Sequence, residues 1–210
     1  LGVGAMLVGG IWALLSMRGS LVSGITSGLR AEQPMTGGEY DHTKHDTPMR
    51  LVLTGVALFV IPIFVVYQVI VGTVGVALAM TIIMIVTGFL FSSVAAYMAG
   101  LVGSSNNPIS GITIATILMT SLLLLWLMGA DALAGPAAAI MVGAVVCCAA
   151  AIAGDNLQDL KAGYIVGATP WRQQLMQGVG VISAVLVMAP ILNLLLQAYG
   201  IGAPTPEQPD

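Results

Sequence analysis

The residues best suited to hold a polar solute are Ser104, Ser105, Asn106, Asn107, Ser110 and Gly111, gathered around Pro108. Their hydroxyls and amides donate and accept hydrogen bonds without carrying charge. Around them, the stretch 51–130 contains no Lys, Arg, His, Asp or Glu. A polar group buried in such surroundings without a partner costs roughly 2–7 kcal/mol, so this cluster needs water, neighbouring protein or a ligand. Binding of a hydrophilic passenger within a membrane is one chemistry that meets the requirement. Asn107 precedes proline and is biased towards extended backbone. Pro108 then suits the first helical position, Asn107 the N-cap, and the open N–H groups of a helix over 109–129 would favour a carboxylate or another electronegative group. A plain helix cap at the water interface is the competing structural account.

A second constellation is Gly154-Asp155-Asn156-Leu157-Gln158-Asp159-Leu160-Lys161, which follows directly on an uncharged run. Asp155 and Asp159 are four residues apart and share a helical face. With Asn156 beside them, carboxylates at a membrane boundary can carry a proton or a cation. The alternative is a solvated helix start with Asp155 as its N-cap. Thr169-Pro170 is a further cap signature, and Trp171 with Arg172 suits an interfacial anchor. Asp131 stands alone in a turn expected to face water.

Other chemistry is not encoded. His42 and His45 lie in a polar loop with Pro34, Gly37, Gly38 and Pro48 and without a second ligand cluster, so no metal site is assigned. Adjacent Cys147 and Cys148 read as packing residues, because neighbours on a helix diverge by about 100° and do not form an ordinary disulfide. No GxxxxGK[ST], GxSxG, HExxH or CxxC pattern occurs. No catalytic residue, cofactor or enzymatic activity is expected, and a membrane enzyme ranks behind the other readings.

Positioning these residues falls to an all-α, polytopic membrane helical bundle. The chain is 58% hydrophobic and 7% charged, against roughly 25% charged in soluble domains. Net charge is −3, with no basic patch, so nucleic acid is not an expected partner. Spans of about 20 apolar residues fit at 1–17, 51–71, 75–100, 109–129, 133–153 and 178–199, about six in all, with 72–75 as the break in the longest run. Small residues allow close helix contact, and the Ala-rich run 149–154 is a better candidate than Gly24/Gly28 or Gly163/Gly167, which lie in or beside loops.

With six spans, all six basic residues (Arg18, Arg30, Lys44, Arg50, Lys161, Arg172) fall on one side, making 18–50 a cytoplasmic loop and 200–210 a tail on the other side. A broken or re-entrant element at 101–111 would alter this parity. Residues 1–210 form one transmembrane region of a multi-pass protein in the cell membrane. The apolar opening at Leu1 and the loop-like close suggest a piece of a longer polypeptide, whose remainder and the lipid bilayer are expected partners.

The segments Gly103-Ser104-Ser105-Asn106-Asn107-Pro108-Ile109-Ser110-Gly111-Ile112-Thr113, 153–163 and Val166-Gly167-Ala168-Thr169-Pro170-Trp171-Arg172-Gln173-Gln174 together resemble the oligopeptide transporter (OPT) superfamily, including its Asn-Pro-Ile-Ser-Gly segment. Such transporters are much longer, so the resemblance implies a partial transporter domain. It also implies secondary active transport of small peptides or metal chelates by proton symport. The alternative is a channel or scaffold subunit, in which 104–107 contributes to a polar ring.

Overall fold

The computed structural model describes residues 42–129 and 133–200, together with eleven helical residues between 4 and 23. Five long helices dominate: α1 (Met49–Val71), α2 (Val74–Val102), α3 (Ile109–Met128), α4 (Ala134–Val166) and α5 (Pro170–Tyr199). Each is long and apolar enough to cross a membrane. In hydrocarbon a helix satisfies its own backbone, which is why apolar runs of this length adopt it. The fold of the described residues is therefore all-helical, and the chain is a multi-pass membrane protein. Within the expected 1–17 span, helical residues are described and continue past it to Ser23.

Two helix ends differ from the hydropathy reading. The polar stretch 154–177 was expected to separate spans, yet α4 runs through Asp155, Asn156 and Asp159 to Val166, and α5 begins at Pro170. Loss of apolarity ends a hydrophobic window, but it does not end a helix whose next residues, Leu157, Gln158, Leu160, Lys161 and Ala162, are good helix formers. Asp155 is thus interior to a helix and caps nothing. Gly167, at φ 75°, stops α4 with its N–H on the Gly163 and Tyr164 carbonyls. Such left-handed backbone suits glycine. At the other break, Gly72 ends α1 at φ 74° and Thr73 precedes α2.

Packing is centred on α4. Its most extensive neighbour is α2, followed by α3. Without a hydrophobic driving force between helices in lipid, small residues that permit close approach carry the association. Ala138, Ala139, Val142, Val146 and Ala150 of α4 are buried, as are Ala77, Ala95 and Ala99 of α2. Within the Ala-rich run, Ala150 and Gly154 are buried at i,i+4 while Ile152 is exposed, so one face of it packs.

Three α4 glycines lie under neighbouring side chains that would have to shift to admit a Cβ. Gly143 receives Ile117, Gly154 receives Asn107, and Gly163 receives Gln173. At 100° per residue, Gly143 and Gly154 point the same way and Gly163 the opposite way, placing α3 and α5 on opposite sides of α4. Gly163 is therefore a packing position, a role that its loop-like context did not suggest. Gly24 and Gly28 lie outside the described residues.

These contacts also give directions. Moving back along the chain from Ile117 to Asn107, the partner moves forward on α4 from Gly143 to Gly154. Hence α3 is antiparallel to α4. Gly154 meets Ala99 and Leu157 meets Gly100, so α2 is parallel to α4. The segment 103–108 is a corner between oppositely running helices. Pro62 and Pro190 lie inside α1 and α5.

Candidate functional site

The corner is built from a 3₁₀ turn at Ser104–Asn106 and an extended Asn107 (φ −69°, ψ 131°), as its following proline demands. Pro108 occupies the cap position before α3, which starts at Ile109, and no side-chain cap hydrogen bond forms. The expected N-cap role of Asn107 is therefore not adopted. Its side chain instead lies on Gly154 of α4, and its Oδ1 is buried without a hydrogen-bond partner. Alongside, the Ser104 N–H donates to Gln158 Oε1 at 3.1 Å, and Leu157 closes on Gly100. Gly154, Leu157 and Gln158 form one i, i+3, i+4 patch of α4, and the Ser/Asn corner sits on it.

The other corner residues point elsewhere. Asn106 Nδ2 donates to the Val102 carbonyl at 3.3 Å. Ser105, Asn106 and Ser110 are exposed, Ser104 is half-buried and Gly111 is buried in the bundle. The substrate-binding candidates thus divide between an outward polar rim and an inward contact with α4.

Asp155, Asn156 and Asp159 share α4 with the corner but lie about 100–200° around the helix from Gly154. Asp155 is exposed. Asp159 Oδ2 accepts from Gln177 Nε2 of α5 at 3.0 Å. Asn156 is half-buried, and its Oδ1 is sealed from solvent without a partner. The two sequence clusters are brought to one helix, though to different faces of it.

A further set of contacts closes the α4–α5 hairpin. The segment 42–48 lies against it: His42 Nε2 donates to the Gly167 carbonyl at 3.2 Å, and the His45 carbonyl accepts from Trp171 N–H at 3.2 Å. Gln174 Nε2 donates to Asp46 Oδ1 at 2.8 Å, while the Thr47 hydroxyl donates to Gln174 Oε1. Arg172 stands 5.6 Å from the Trp171 ring centroid. Thr169 holds the expected N-cap position, with Pro170 first in α5, but makes no side-chain cap bond. Among the described residues, no group of three His, Cys, Asp or Glu is arranged to hold a metal.

Sequence reasoning quoted Gln173 and Gln174 only within a resemblance segment and gave neither them nor Gln177 a role, although three glutamines in the first turns of an apolar helix were a signal. Nor did it mark Tyr67 and Thr120, both fully buried with unpartnered hydroxyls. Asp131 lies outside the described residues.

The OPT oligopeptide transporter protein family model matches residues 1–210. A curated Haemophilus influenzae protein named "Putative oligopeptide transporter" is 34% identical over 230 residues, covering 100% of this chain and 36% of its own length. The chain thus spans about a third of that relative. No solved structure matches significantly. A family model covering every residue, on a bundle in which the segments 103–113 and 153–163 pack together, places this chain in the OPT oligopeptide transporter family.

Proposed function

We propose that this chain forms part of a secondary active transporter that moves small oligopeptides or metal chelates across the cell membrane by proton symport. The observation that carries the reading is the seat of Asn107 on Gly154, with its Oδ1 buried and unpartnered. A buried amide oxygen retained in a membrane bundle costs stability unless something donates to it, and a passenger's N–H is such a donor. Ser104, Ser105, Asn106 and Ser110 would supply the polar rim, with buried Gly111 completing the substrate-binding set on α3. Asp155 and Asp159 would carry the coupled proton, with Asn156 next to them on α4. Family membership supports transport in preference to catalysis.

The end bearing 42–48, the 103–108 corner and the α4–α5 turn would face the cytoplasm, with 200–210 on the other side. The support is that all six Lys and Arg residues belong to that end in the six-span arrangement.

The test uses the full-length transporter in proteoliposomes, with labelled di- to pentapeptides in one arm and chelated iron in the other. The expected result is accumulation of one class above its external concentration, driven by acid outside. Equilibration without accumulation would overturn the symporter reading in favour of a channel. No movement of either class would overturn the substrate assignment.

A further inference from the structure

α5 has no buried residue along its 30-residue length. Its half-buried Gln173 and Gln177 meet Gly163 and Asp159 of α4, and every residue of 178–199 is exposed. Exposure alone would suit lipid. The distribution of polar side chains does not. At 100° per residue, Ser183, Pro190, Asn193 and Gln197 fall within a sector of about 80°, turned about 140° from the side that meets α4.

Ser183 satisfies its hydroxyl on the Val179 carbonyl at 2.8 Å. Asn193 and Gln197 find no partner among the described residues. Asn193 lies about 9 Å inside the helix end, within the apolar run 178–199, where hydrocarbon around it would not satisfy an amide. Asn and Gln in membrane helices hydrogen-bond across helix–helix interfaces, and polar residues in spans face protein or water rather than acyl chains.

We propose that the Ser183–Pro190–Asn193–Gln197 face of α5 is a docking surface for another transmembrane helix of the same, longer polypeptide, one presenting a small or hydrogen-bonding side chain to Asn193. The chain's match covers only 36% of its Haemophilus influenzae relative, so nearly two thirds of such a protein lies outside this region and can supply the helix. A carbonyl freed by Pro190 adds an acceptor on the same length of α5. This rests on the reading that the chain is one part of a larger transporter, and it adds which face joins that part to the rest.

The experiment is spin-label accessibility in the full-length protein in lipid, in a background with every native cysteine, Cys147 and Cys148 included, replaced by serine. Labels at Ser183→Cys, Leu186→Cys and Asn193→Cys report the stripe; Val185→Cys and Leu192→Cys report another sector. The expected result is several-fold lower exposure to both oxygen and a water-soluble nickel reagent on the stripe than exposure to oxygen at 185 and 192. Oxygen exposure equal to that of the control sector would overturn the proposal in favour of lipid, and high nickel exposure in favour of an aqueous cavity. Spin–spin coupling between identical labels, or disulfide-linked dimers on oxidising the unlabelled cysteine variants, would overturn it in favour of a second copy. If Asn193→Cys does not assemble, Ser183→Cys and Leu186→Cys decide alone. Uptake need not be measured, so a failure here is separate from a failure of the transport reading.

Discussion

The Asn107 side chain rests against the backbone of Gly154, where a Cβ would displace its amide, and this contact joins the α2–α3 corner to the polar half of α4. Ala99 reaches the same glycine from α2. One residue position therefore records the crossing of three elements.

Gly154→Ala should consequently be destabilising by about 1–3 kcal/mol, the usual cost of overpacking. Gly88→Ala provides the control, since a methyl there meets nothing within 4 Å. It should be neutral or stabilising, by up to about 1 kcal/mol, through helix propensity. Thermal unfolding in detergent separates the two; equal midpoints would contradict the packing described.

Asn107→Ala clears the space that Gly154→Ala needs. The double variant should thus be more stable than the two single effects predict when summed, with a coupling of about 0.5–3 kcal/mol. Strict additivity in a double-mutant cycle would mean that the two side chains do not compete for one volume. Under the proposed function, Asn107→Ala should also raise KM for uptake about tenfold, the loss of one buried hydrogen bond to the passenger.

Neutralising both carboxylates tests coupling. Asp159→Asn keeps an oxygen that can accept from Gln177, so the α4–α5 contact survives while the charge is lost. Asp155→Asn changes an exposed position. The pair should fold normally and lose proton-driven accumulation while still exchanging substrate. Unchanged accumulation under an acid-outside gradient would remove these residues from the proton path.

Gln174→Ala removes two contacts, one with Asp46 and one with Thr47. Each is worth about 0.5–1.5 kcal/mol at most, because both lie near solvent. The larger expected effect is local: faster proteolytic cleavage within 42–48, with little change in the global unfolding midpoint. A cleavage rate equal to that of the unaltered protein would show that Gln174 does not hold this segment.

Much of the architecture was legible in the residues themselves. Long apolar runs must become helices in hydrocarbon, where every backbone group needs an internal partner, so the spans at 51–71, 75–100 and 109–129 lie within about three residues of α1, α2 and α3. Hydropathy was a poor guide to where α4 ends and α5 begins. It records transfer into lipid, whereas helix ends depend on backbone hydrogen bonds and on residues such as Gly167 and Pro170.

The polar clusters were visible as clusters, but their relations were not. Nothing local in Asn107 indicates whether its side chain caps α3 or reaches another helix. That outcome depends on a glycine 47 positions away that leaves a gap of the right size. Likewise, i,i+4 spacing placed Asp155 and Asp159 on one face, yet only the packing of α5 supplied Gln177 to Asp159. Composition and periodicity act along the chain and determine that it spans a membrane. Which polar groups find partners, and which are left open, is decided by helices that meet only after the chain has folded.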